Sequence, residues 1–125
     1  MEFIESPAFT RYLSHYLDDQ GYRELQIELV RNPHAGALMP GTGGFRKLRW
    51  ADRRRSKGRR GGLRIIYYHF AGDQQIWMMA LFDKGEASDL SPSQKKVLNS
   101  AIEAELEERE AARKLRNRKA GRTRK

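Results

Sequence analysis

Residues 63–82 read LRIIYYHF-AGDQ-QIWMMALF, and this stretch decides the fold. Two runs rich in β-branched and aromatic side chains flank a short turn signal, the pattern of an antiparallel hairpin. Centring the turn between Gly72 and Asp73 pairs positions whose numbers sum to about 145. Arg64 then falls opposite Leu81 or Phe82, with Lys84 within reach just past the strand end. His69 lies at the other end of its strand, five residues or roughly 16 Å from Arg64 at about 3.3 Å per residue.

Working upstream, FRKLRW (45–50) alternates as a third strand. Phe45, Lys47 and Arg49 share one face, and Arg46, Leu48 and Trp50 share the other. The intervening segment 51–62 is too polar and too rich in glycine for a regular element, so the basic loop enters the hairpin at the Arg64 end. Arg64, Lys84 and that loop are expected to converge on one edge of the sheet. Residues 32–44, rich in Gly and Pro, read as loop.

Nearer the N-terminus, Glu2–Glu5 reads as a short strand, and Ser6-Pro7 supplies an N-cap with proline at the first helical position. Phe9, Tyr12, Leu13, Tyr16 and Leu17 fall at helical spacing, and Gly21 is expected to break that helix. A second helix from about Tyr22 buries some combination of Leu25, Ile27, Leu29 and Val30, and Asn32-Pro33 ends it. Downstream, Ser91-Pro92-Ser93-Gln94 has the form of a capping box. Val97, Leu98, Ala101, Ile102 and Leu106 form the apolar stripe of the helix it opens, and Glu103–Glu110 its solvated face. The order β-α-α-β-β-β-α predicts an α+β fold. An antiparallel sheet, a three-strand meander plus the N-terminal strand, is packed by two N-terminal helices and a C-terminal helix, with helices covering one face.

The chain has 125 residues, enough for one modest core, with 38% hydrophobic and 33% charged residues. It has no cysteine, which excludes disulfides and thiolate metal sites. No apolar run is long enough to span a membrane, and MEFIESPAF lacks the features of a signal peptide, so cytoplasmic residence is expected. The net charge of +9 is concentrated. Residues 46–64 hold ten Arg or Lys against Asp52 alone, and residues 113–125 hold eight bases and no acid. The remainder is acidic. Two basic blocks on an otherwise acidic chain are the footprint of a polyanion partner.

The blocks differ in meaning. RKLRNRKAGRTRK (113–125) reads either as a frayed, solvated tail or as a non-specific phosphate contact. The internal block is held between strands and is read as a shaped site. His15, His34 and His69 stand at no metal-ligand spacing, and no phosphate-cradling glycine loop or nucleophile elbow is present. No helix carries the internal block, which weighs against a DNA-reading regulator.

GTGGFRKLRW (41–50), KGRRGGLRIIYY (57–68) and FDKGEASDLSPSQKK (82–96) together resemble the RelE superfamily, and its HigB-like branch in particular. The resemblance covers about residues 1–108 as a toxin domain. Residues 109–125 are left as a basic C-terminal tail, a helix extension and then disorder. The resemblance implies the toxin of a type II toxin–antitoxin pair, an endoribonuclease acting on messenger RNA in the ribosomal A site, against ribosomal RNA. It implies cleavage with no metal and no small-molecule cofactor, no membrane partner, and a cognate protein antitoxin, HigA-like with a helix-turn-helix domain. By position, it assigns Arg64 to phosphate stabilisation and Lys84 to the lysine of the motif after the last strand. Lys57 and Arg60 are the candidates of the loop for proton transfer or charge. Glu86 is either a base, or a residue that orients Lys84 or caps the next turn. Lys47, Arg49, Arg53, Arg54, Arg55 and Arg59 are the candidates for RNA binding. The chain departs from RelE itself, which has arginine after that lysine and a catalytic tyrosine a few residues on. Here Gly85 and the Leu90-Ser91 region hold those places, and no tyrosine follows Tyr68. The rival expectation is a non-catalytic RNA- or ribosome-binding module, or an inactive toxin relative.

Overall fold

The computed structural model describes residues 1–51, 62–85 and 89–123, the side chains of the last two excepted. Elements run β1 (Glu2–Glu5), α1 (Pro7–Tyr16), α2 (Asp19–Arg31), β2 (Ala37–Leu38), β3 (Arg46–Trp50), β4 (Leu63–Phe70), β5 (Gln75–Asp83) and α3 (Pro92–Thr123). A 3-10 turn, Ala71–Asp73, joins β4 to β5, and Gln74 closes it in the left-handed region at φ 52°.

The sheet is organised around β4, which pairs antiparallel with β5 on one side and with β3 on the other. Next to the turn the register is the one read from the sequence, with Phe70 opposite Gln75 and Tyr67 opposite Met78. Between Ile66 and Tyr67 the ladder slips by one residue, so Ile66 faces Ala80 and Met79 is the extra residue of a bulge. Ser6 satisfies the strand there: its backbone N–H donates to the Met78 carbonyl at 2.9 Å and its hydroxyl to the Met79 carbonyl at 2.7 Å. The same hydroxyl accepts from the Phe9 N–H at 3.0 Å, so one side chain both caps α1 and ties it to β5.

Three features differ from the sequence reading. Among the described residues the sheet has five strands in the order β1-β5-β4-β3-β2 and is mixed, because β1 lies parallel to β5. Strand periodicity carries no information on direction. Here it is set by the immediate passage from β1 through Ser6 into α1, which packs back over the sheet. Second, the loop between α2 and β3 contains β2, whose two residues pair with Lys47 and Arg46 and are too short to show a period. Third, helices cover both faces. Phe9, Tyr16 and Leu17 with Leu25 and Leu29 of α2 pack against Leu48, Trp50, Leu63, Ile65, Tyr67, Ile76 and Met78. Leu98 and Ile102 of α3 pack with Phe45, Ile66 and Phe70 on the opposite face. The near-continuous apolar character of LRIIYYHF is the cause, since a strand buried on both sides needs cover on both.

The helix stripes are narrower than the periodicity suggests. Tyr12, Ile27, Val30, Val97 and Leu106 are exposed, while Phe9, Leu25, Leu29 and Ile102 are fully buried, each worth roughly 1.5–3 kcal/mol. Gly21 does not break a helix: α1 already ends at Tyr16, with Leu17 as its C-cap, and Asp18 starts α2 by accepting from the Gly21 N–H at 2.6 Å. The capping box of α3 forms as read, with Ser91 N–H donating to Gln94 Oε1 at 2.8 Å and Gln94 N–H to Ser91 Oγ at 3.2 Å. Among the described residues, no helix is long and apolar enough to cross a membrane.

Candidate nucleic-acid interface

Strand alternation places Phe45, Lys47 and Arg49 of β3 on the face that α3 covers, together with Arg64 and Ile66 of β4. The ladder sets Arg49 directly opposite Arg64, and Phe82 flanks Arg64 on the other side. The Arg49 and Arg64 side chains therefore start roughly 5 Å apart on one face, and like charges directly opposite each other destabilise a sheet. Arg49 is exposed, whereas Arg64 is only 5% exposed. Its only described hydrogen bond is a long one, Nη1 to the Leu63 carbonyl at 3.4 Å. Burial, and then the Arg49 guanidinium, push the Arg64 guanidinium below its ordinary value, with Asp83 acting in the opposite direction. Arginine stays protonated under such a shift, so the site holds a positive charge under electrostatic tension.

Lys84 is held beside this pair by the backbone. Its N–H donates to the Gly62 carbonyl at 3.3 Å, which carries the hairpin pairing one step beyond the strands. The Gly85 N–H donates to Asp83 Oδ1 at 2.7 Å and turns the chain there, leaving the Lys84 side chain exposed. Gly62 is where the described chain resumes after the basic segment, so Arg49, Arg64 and Lys84 share the end of the inner strands, rather than an outer strand, at which that segment rejoins the sheet. Lys57, Arg60, Glu86, Arg53, Arg54, Arg55 and Arg59 lie outside the described residues.

Lys47 sits two positions along β3 and is engaged: its ammonium lies 3.4 Å from Asp89 Oδ1, and Lys95 of α3 reaches Asp89 Oδ2 at 3.6 Å. The Leu90 N–H holds the Asp89 carboxyl below its usual range, with burial acting in the opposite direction and Lys47 and then Lys95 adding to the lowering. Such exposed pairs are worth at most about 1 kcal/mol and exchange readily for another anion. Lys95 was not among the residues expected from the sequence. The capping box could have found it, since fixing the start of α3 also fixes which first-turn side chains point back to the sheet.

Arg46, on the opposite face, is structural. It donates to the Gly36 carbonyl at 2.8 Å, beside a His34–His69 contact of 3.4 Å at the far end of β4. A cavity of about 200 Å³ on that face is lined by Asp18, Glu24, Tyr16 and Trp50, and its acids make it a poor phosphate site. Among the described residues, no group of three or more His, Cys, Asp or Glu side chains could hold a metal ion. The shared end of these strands offers clustered cations on a rigid ladder, which suits a phosphodiester and its developing charge. No family model matches the chain.

Proposed function

We propose that this protein is an endoribonuclease toxin of the RelE/HigB type, acting in the cytoplasm on messenger RNA in the ribosomal A site. The observation that carries the reading is the Arg49–Arg64 opposition. A sheet tolerates two cations in register when an anion completes the site, and Lys84 stands at the same end of the strands to share it. The sequence resemblance supplies the identity of that anion as an RNA phosphate.

In this reaction the 2′-oxygen attacks the adjacent phosphorus and the bond from phosphorus to the 5′-oxygen breaks. The products are a 2′,3′-cyclic phosphate and a free 5′-hydroxyl. The proton leaves the 2′-hydroxyl for a base, and an acid protonates the departing oxygen. Arg64 stabilises the charge of the phosphorane and Arg49 aligns the strand. Lys84, with Lys57 and Arg60 of the basic segment, supplies further charge and proton transfer, and Glu86 either takes the proton or orients Lys84. No metal or cofactor is assigned a step. A cognate antitoxin of the helix-turn-helix kind is the protein partner this reading entails.

A non-catalytic RNA-binding module is the second reading, favoured by the deep placement of Arg64 and by the absence of any tyrosine after Tyr68. A reconstituted translation reaction separates the two. With Arg64→Gln and Lys84→Gln, the proposal expects cleavage to fall at least about 100-fold while RNA affinity falls only a few-fold. Parallel, graded losses of binding with no cleavage by the unaltered protein would replace it with the binding module.

A further inference from the structure

The packed part of α3 ends at a clamp. Arg109 donates to Asp73 at 2.6 Å and to Glu105 at 2.9 Å, and its guanidinium stacks 3.7 Å from the centre of the Phe70 ring. It is the last side chain of α3 to be partly covered, and every described side chain from Glu110 to Gly121 is exposed. The helix nevertheless continues to Thr123. From Arg109 to Gly121 it runs roughly 18 Å, at about 1.5 Å per residue, and its first turns past the clamp still line a cavity with Asp73 and Gln75 through Ala112, Arg113 and Arg116.

The projecting half carries Arg113, Lys114, Arg116, Arg118 and Lys119, with no acid after Glu110. Arg113 pairs with Glu110 at 2.9 Å, both side chains about half exposed. Like charges recur at helical neighbours: Arg113 with Arg116, Lys114 with Arg118, and Arg116 with Lys119. Each such pair works against the helix, so an isolated arm of this composition gains from an anion. The cations surround the axis, so the arm has no single reading face. It also has no apolar stripe, as Leu115 is its only large apolar side chain, and a membrane-surface helix requires one.

We infer that the projecting half of α3 is a second RNA contact, a phosphate-binding arm spatially separate from the Arg49–Arg64–Lys84 cluster. The arm leaves the molecule at the hairpin turn, whereas Arg64 lies at the opposite end of β4, six residues and roughly 20 Å away. With the length of the arm added, the two basic regions span at most about 38 Å. Only a long or folded RNA reaches both. The identity of the polyanion as RNA rests on the function proposed above, while the existence of the arm does not.

The test uses the full chain and RNA methylated at every 2′-oxygen, which cannot be cut, so that only binding is read. The quintuple variant Arg113→Gln, Lys114→Gln, Arg116→Gln, Arg118→Gln, Lys119→Gln retains good helix formers and leaves the clamp intact. On a single strand of about 40 nucleotides it is expected to bind at least about 10-fold more weakly, with a log–log salt slope shallower by about 2–3. The charge-preserving triple variant Arg113→Lys, Arg116→Lys, Arg118→Lys is expected to bind as the unaltered protein does. On a strand of about six nucleotides, too short to span both regions, the quintuple variant is expected to change little.

An unchanged slope on the long strand, with unaltered far-ultraviolet circular dichroism, would overturn the inference. So would an equal loss on both strand lengths, or retained RNA binding with loss of binding to phosphatidylglycerol vesicles. The cleavage reading fails separately: uncut message in translation with arm-dependent binding intact would remove the ribonuclease and leave the arm.

Discussion

Under the proposed function, Arg64 is the side chain on which the chemistry depends. Its charge is disfavoured by burial and by Arg49 across the ladder. A buried charge carries a desolvation penalty of several kcal/mol that an apolar side chain of similar volume does not. Arg64→Met is therefore expected to abolish cleavage while leaving the urea midpoint unchanged or raising stability by up to about 1 kcal/mol. A loss of about 3 kcal/mol would instead mark Arg64 as half of a structural ion pair. His69 behaves differently. Burial, followed by His34 and Arg46, pushes its imidazole below the ordinary value, so the fold prefers it neutral. The unfolded chain then takes up the proton first, so stability is complete above about pH 6.5 and declines as pH falls through that value. His69→Gln is expected to flatten this decline in denaturation measured between about pH 7.5 and about pH 5.5. At this scale the sequence placed Arg64 opposite Leu81 or Phe82, and the bulge at Met79 selects Phe82. The Arg49–Arg64 opposition was not legible, because it depends on the β3–β4 register across a long connection. Turn chemistry fixes a hairpin register and fixes nothing across such a loop.

At the level of elements, α3 is placed by three contacts of different kinds: the capping box, Leu98 and Ile102 in the core, and the Arg109 clamp. Gly43 makes the central contact possible. It lies at φ +80°, and a Cβ there would stand 2.6 Å from Asn99 Oδ1 and 2.7 Å from Ile102 Cγ2. Gly43→Ala therefore meets both backbone strain and the helix, and an outward shift of α3 with a loss of about 2–3 kcal/mol is expected. Thermal unfolding and faster amide exchange across Leu98–Ile102 would register it. A wild-type melting curve would mean that α3 is not seated on this loop. The capping box and the hairpin were legible because their signals are local, set by residues three or four apart. The direction of β1 and the split of helices between two faces were not. Both depend on how an apolar strand is covered from far along the chain, and apolar content alone does not state which element covers it.

For the whole molecule, charge is distributed by position along the sheet. One basic cluster lies at the strand ends that carry Arg49, Arg64 and Lys84, and the other lies along the arm that leaves beyond the hairpin turn. The two basic blocks were evident in the sequence, yet the distance between the described Arg49, Arg64 and Lys84 and the arm was not. It follows from β4 carrying its arginine at one end while α3 exits at the other. The separation predicts independent contributions to RNA binding, since sites this far apart add in free energy. The central claim, that the Arg64 cluster cuts RNA during translation, is tested most directly by induced expression in a bacterium with messenger RNA ends mapped by primer extension. The unaltered protein is expected to arrest growth and to produce new ends inside translated codons, both absent from the Arg64→Ala, Lys84→Ala double variant. Equal growth and identical transcript ends in the two strains, with both proteins soluble and folded, would contradict it.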